Sequence, residues 1–277
     1  MLYDRDYKIL TEEEKKIWEK VESIFIKEKT RKKGGVSVKG LDNYYKNLPT
    51  AALHYQQLFP NNYLDADSYC EKENYTTLQE FKVLLGKGCT EQEILNFIRV
   101  KKAYFIITSL FGTTPFNFGH HVAFAFKEFE LPSSYVVDFL LVGKNSGGYE
   151  FIFVELESPH GLITTADGEF GACIRKGIKQ VEDWDIWLEK HYSSLKLVYN
   201  KYLGNMHPLP LEFYELDKSR LHYVVVAGRR KNFNQKTYQA KRRLLKSKNI
   251  LVLHYDNLID NSIFLLKHRY KVALPEK

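Results

Sequence analysis

Hydrophobic and polar positions recur along this chain with two different periods, and the change between them divides it. Behind Thr11-x-x-Glu14, a capping-box pattern, Ile17, Trp18, Val21, Ile24 and Phe25 return every three or four residues, which predicts an amphipathic helix from about Thr11 to Lys29. Residues 41–75 mix tyrosines, asparagines, Pro49 and Pro60 without a sustained period and predict no element. A short helix is expected over 76–85. A second capping box, Thr90-x-x-Glu93, then opens a longer helix with Ile94, Leu95, Ile98 and Phe105 on one side.

From His121 the pattern becomes that of strands, with segments 121–129, 135–142 and 149–156 rich in aromatic and β-branched residues. Residues 143–148, with three glycines, read as a hairpin connection between the last two. Ile174, Ile178, Val181, Trp184 and Leu188 predict a helix over about 169–191. Segment 222–227 reads as a buried strand, 235–246 as a basic helix and 250–254 as another strand. The order from Thr90 is therefore α, β, β, β, α, β, α, β, with no internal repeat.

A length of 277 residues, 44% of them hydrophobic and 14% aromatic, can bury a large core and excludes a disordered chain. No apolar run approaches the roughly 18 residues that span a bilayer, and the N-terminus is charged with no apolar leader, so a cytoplasmic protein without a membrane partner is expected. Cys70, Cys89 and Cys173 are far apart and lack ligand spacing, which argues for buried, reduced thiols rather than disulfides or a zinc site. The net charge of +7 is moderate, but nine Lys or Arg fall between Arg229 and Lys248 with no acidic residue, and six fall between Lys27 and Lys39. Each run alone could be a solvated face; together they favour a polyanionic partner, with Arg229, Arg230, Lys241, Arg242 and Arg243 as the expected phosphate contacts.

Candidate chemistry lies in the strands. Asp138 sits in Val136-Val-Asp-Phe-Leu-Leu-Val142, apolar on both faces, where an unpaired carboxylate is costly; it is either an ion-pair member or a ligand. Glu155 and Glu157 repeat the anomaly on the next strand and, two apart, point to the same face. Pairing across the hairpin would bring Asp138 to them, and an all-oxygen cluster of this kind suits magnesium or manganese better than zinc. The opposing expectation puts Glu155 and Glu157 on a solvent-facing side with Asp138 at a turn. Glu91 and Glu128 are weaker acidic candidates, more naturally surface residues. His120, His121 and His160 lack zinc spacing and are expected to be structural or near phosphate.

The run Val137-Asp138-Phe-Leu-Leu141 followed by Phe153-Val-Glu155-Leu-Glu157-Ser-Pro159 resembles the PD-(D/E)XK nuclease signature as it occurs in the Shedu family of bacterial anti-phage proteins. The resemblance continues through Leu162, Gln180, Asp183-Trp-Asp-Ile-Trp-Leu188, Val224-Val-Val-Ala-Gly-Arg-Arg230 and Leu253-His-Tyr-Asp-Asn-Leu258, and spans about Thr90 to Ile259. It implies an α/β, restriction-endonuclease-like mixed sheet flanked by helices over 90–277, with a variable N-terminal region over 1–89.

It also implies a magnesium- or manganese-dependent deoxyribonuclease in anti-phage defence that acts on DNA as a homo-oligomer. Asp138 and Glu155 would hold the metal, Glu157 would orient the attacking water or bind a second metal, and Gln180 would position water or phosphate. Glu157 departs from the family's pattern, in which Lys is usual. That departure leaves two alternatives: a catalytically inactive DNA-binding or interaction module of the same fold, or a structural protein whose acids pair with the basic helix.

Overall fold

The computed structural model describes residues 2–31, 44–64, 72–116 and 118–269. Cys70, the basic run beyond Arg31 and its glycine pair lie outside the described residues. The chain forms two compact units, one of Tyr3–Tyr63 with Tyr199–Leu209, the other of Leu64–Val198 with Pro210–Lys277. The boundary at 89/90 drawn from the sequence follows the start of the family resemblance, whereas the units divide near Tyr63.

In the first unit, helix α1 (Glu12–Arg31) begins at the expected box. The Glu14 amide donates to Thr11 Oγ1 at 3.2 Å, and the Thr11 amide donates to Glu14 Oε2 at 2.9 Å. Helix α2 (Thr50–Tyr55) lies in the stretch without a period. Its His54 is a centre of ring packing: Tyr7 stacks on it at 4.0 Å, and Tyr3 and Tyr63 meet the same imidazole edge-on.

The second unit opens with α3 (Lys72–Gly86) and α4 (Glu91–Val100), the latter capped by Thr90 and Glu93 as the sequence predicts. The helix expected to run through Phe105 instead stops at Val100. Lys102 takes a left-handed φ of 51°, and Phe105 belongs to a separate turn, α5 (Tyr104–Thr108). Then come β1 (Val122–Leu131), β2 (Tyr135–Asn145), β3 (Gly148–Leu156), α6 (Ala172–His191), α7 (Leu195–Tyr202), β4 (Leu221–Val226), α8 (Gln235–Lys248), β5 (Ile250–Leu253) and α9 (Tyr255–Phe264). The result is an α/β unit with helices flanking a five-stranded mixed sheet of order β1-β2-β3-β4-β5. The first two pairings are antiparallel and the last two parallel.

The β2–β3 turn is tighter than the glycines suggested: Asn145 pairs with Gly148, whose φ of 110° suits glycine alone. Helix α6 starts three residues after the expected position, because a Thr164–Phe170 bridge holds the preceding chain extended. Its Ile174, Val181, Trp184 and Leu188 are buried at helical spacing. Gly177 lies on the same face, where a Cβ would stand 2.6 Å from Val225 Cγ1 and 3.0 Å from Glu157 Cγ. That glycine lets α6 approach the sheet beside the acidic strand. Cys89 and Cys173 are free thiols, the first buried as expected and the second only half-buried. Among the described residues, no helix is long and apolar enough to cross a membrane.

Candidate functional site

β2 and β3 part company at the acidic residues. Their ladder ends at Phe139↔Val154, yet β3 stays paired with β4 through Leu156↔Val226. The Glu157 amide prolongs that second ladder by donating to the Val226 carbonyl at 2.8 Å. Asp138, one residue beyond the last β2–β3 pair, replaces the missing ladder bond with its side chain: Oδ2 accepts from the Leu156 amide at 2.8 Å. The carboxylates therefore stand where the sheet opens, at the end of β3.

Glu155 and Glu157 are each only 2% exposed, which rules out the solvent-facing alternative. Glu155 Oε2 and Glu157 Oε1 are buried with no hydrogen-bond partner among the described residues. Native interiors seldom tolerate this, since an uncompensated buried charge costs on the order of several kcal/mol. Burial, followed by the charges of Asp138, Glu157 and Glu91, pushes the Glu155 carboxyl up to about 9. Burial also lifts Asp138 to about 7 against the pull of the Leu156 amide, and it raises Glu157 against the pull of Lys176.

Two residues join this group: Lys176, which the sequence did not single out, and Glu91, which it offered only as a weaker acidic candidate. Lys176 on α6 donates from Nζ to Glu157 Oε2 at 2.9 Å and lies 3.5 Å from Glu91 Oε2. Burial lowers the proton affinity of that ammonium, but its hydrogen bond to Glu157 and the nearby acids outweigh this and raise it, so Lys176 stays charged. Glu91, the first residue of α4, is thus part of the acidic group rather than a plain surface residue. Glu128 is exposed on β1. Gln180 is half-buried one turn after Lys176, on the same side of α6.

The carboxylates find their cation on α6 and not on the basic helix, contrary to the structural-protein alternative. The Glu157 carbonyl accepts a 2.8 Å hydrogen bond from the buried Tyr255 hydroxyl at the start of α9, which fixes the backbone of the acidic strand. His160 Nε2 is buried without a partner among the described residues, and the His120 and His121 rings lie against each other.

The donors are all carboxylate oxygens, two of them unsatisfied, a set that fits a hard divalent cation. As they stand, however, no three His, Cys, Asp or Glu side chains among the described residues are gathered tightly enough to coordinate one.

The expected phosphate contacts are scattered. Arg229 is held at two of its three guanidinium nitrogens by Asp256, with Nη2 to Oδ1 at 2.7 Å and Nε to Oδ2 at 3.1 Å, and it donates from Nη1 to the Leu85 carbonyl at 3.0 Å. Arg230 is bound to Asp260. Lys241 is half-buried with its ammonium 5.5 Å from the centre of the Tyr238 ring, and burial pushes it down to about 8. Arg242 and Arg243 are exposed on α8. A family model described as Shedu protein SduA, C-terminal, matches residues 88–259. No curated protein matches the chain.

Proposed function

Since the matched segment covers more than half of the chain, the protein belongs to the Shedu family, and from that premise we propose that it is a metal-dependent DNA endonuclease acting in anti-phage defence. Family membership points to defence; the endonuclease activity, the PD-(D/E)XK fold, magnesium or manganese, a cytoplasmic location and homo-oligomeric assembly belong to the proposal. One observation carries it: the buried Glu155 and Glu157 and the half-buried Asp138 stand where β2 and β3 separate, with two carboxylate oxygens lacking partners among the described residues. A structural role would leave such oxygens paired.

In this reading Asp138 and Glu155 would hold the cation, which would supply acidity to a bound water and offset charge on the scissile phosphate. Glu157, kept proton-hungry by burial, orients the attacking water and accepts its proton. Lys176 fixes Glu157 through the 2.9 Å contact, and its side chain, more than half exposed, leaves the ammonium open to a phosphate oxygen on which negative charge grows. Gln180, one turn further along α6, faces the same water or phosphate. Hydrolysis joins the water oxygen to phosphorus and breaks the bond from phosphorus to one ester oxygen of the DNA backbone, which leaves as a hydroxyl with a proton taken from solvent.

The inactive-module reading draws on Glu157 in place of Lys and on the ungathered carboxylates. Lys176 counters it by bringing an ammonium to that carboxylate from the helix. Incubating linear and supercoiled DNA with magnesium or manganese separates the two, with Asp138→Asn and Glu155→Gln as folded controls. Cutting lost in both variants supports the nuclease; binding without cutting under either metal supports the inactive module.

A further inference from the structure

A pocket of about 30 Å³ opens on Asp138, walled by the α4 face carrying Asn96 and Arg99 and by Lys127 and Glu128 of β1. One water needs roughly 10–15 Å³ on the same scale, so there is room for the oxygens of a phosphate and none for a nucleobase. Adjacent strand residues normally point to opposite faces, yet Lys127 and Glu128 both line the pocket. The cause is backbone strain. Glu128 takes a left-handed φ of 48°, and the ladder lapses there, between Lys127↔Phe139 and Phe129↔Val137, directly across from Asp138. A non-glycine residue holds that conformation at a cost of about 1–2 kcal/mol, and such strain gathers at ligand sites.

Arg99 donates to Asn96 Oδ1 at 2.7 Å, and neither Arg99 nor Lys127 forms an ion pair with an acid among the described residues. These two cations are uncommitted beside the site, unlike Arg229 and Arg230. Glu128 and Asp138 add negative charge to the lining, which disfavours a free anion and favours a phosphodiester that shares a divalent cation with the carboxylates. We infer that this pocket holds a backbone phosphate of the nucleic acid next to the one cleaved, gripped by Arg99 and Lys127. The inference rests on the DNA-binding part of the proposed function and adds where the strand runs.

The test is fluorescence anisotropy of a labelled DNA duplex with the full chain, in calcium, between 50 and 200 mM salt. It compares the native protein with Arg99→Gln/Lys127→Gln and with Arg242→Gln/Arg243→Gln. Losing two phosphate-directed cations should weaken binding at least about tenfold and flatten the slope of log affinity against log salt by about 2 in the first variant. Both substituted side chains contact solvent, and an unchanged circular dichroism spectrum verifies the fold. If R99Q/K127Q binds with native affinity and slope while R242Q/R243Q loses both, the strand runs over α8 and the inference is wrong, with the nuclease reading intact. If the native protein binds no DNA in calcium, the DNA reading fails and this inference with it.

Discussion

Around Glu157, three further carboxylates share the influence of one ammonium, that of Lys176, and two buried oxygens have no partner among the described residues. Around Arg229 the arithmetic is reversed: the first two arginines of the densest basic stretch meet Asp256 and Asp260 on α9 and are neutralised one by one. Charge counted along the chain and charge left free by the fold are therefore different quantities. The basic stretch is conspicuous in sequence, yet both of its ends are tied up in space, Arg229 and Arg230 by aspartates and Lys248 by Glu182. The acidic residues are sparse in sequence and uncompensated in space, and the second condition is the one that invites a ligand.

The contrast breaks hardest if the acidic side is emptied. Asp138→Asn or Glu155→Gln should lower magnesium-dependent cleavage by about 1000-fold while raising the melting temperature of the metal-free protein; a lower melting point would mean that these carboxylates are structural. Lys176→Met should cost about 100-fold in cleavage with duplex binding largely kept, read by comparing single-turnover rates with anisotropy. On the basic side, Arg229→Ala should cost stability instead, about 2 kcal/mol by urea unfolding, because charged hydrogen bonds to Asp256 are lost.

Titration sharpens the comparison further. Asp138 and Glu155 keep their protons to about 7 and about 9 in the folded chain but ionise near 4 when unfolded. The unfolded state thus releases its protons first, and the metal-free protein should lose stability as pH rises from about 4 to about 9. Magnesium should raise the melting temperature more at pH 8 than at pH 6; equal gains would argue against binding at these carboxylates. The smallest effect is expected at Glu128→Gly, which relieves the left-handed backbone and should stabilise the metal-free fold by about 0.5–1 kcal/mol in the same melts.

The succession of strands along the chain and most helices were legible because their apolar residues keep one period from end to end, as in α6 and β2. Asp138 and Glu155 were legible because a carboxylate inside an apolar run is costly. Glu91 was legible only as a weaker acidic candidate: after Thr90 it looks like an ordinary first-turn acid, and only folding brings it near Lys176. Lys176 was missed for a similar reason, since a lysine on an amphipathic helix is usually solvated and its partner lies 19 positions earlier. The break at Lys102 left no trace either, because the apolar spacing continues through it to Phe105. Arg229 and Arg230 misled in the other direction, as their aspartates lie 27 and 30 positions further on.

The hydroxyl of Tyr255 reaches the carbonyl of Glu157 across 98 positions of sequence. Closing so long a loop is slow compared with forming a helix or a hairpin, so the β1–β3 meander can assemble well before its acidic end is braced. A chain still emerging from the ribosome can hold Asp138 and Glu155 on paired strands while the anchor from α9 is missing. In a protein proposed to cut DNA, late bracing of this kind separates the time at which the chain becomes compact from the time at which it becomes dangerous.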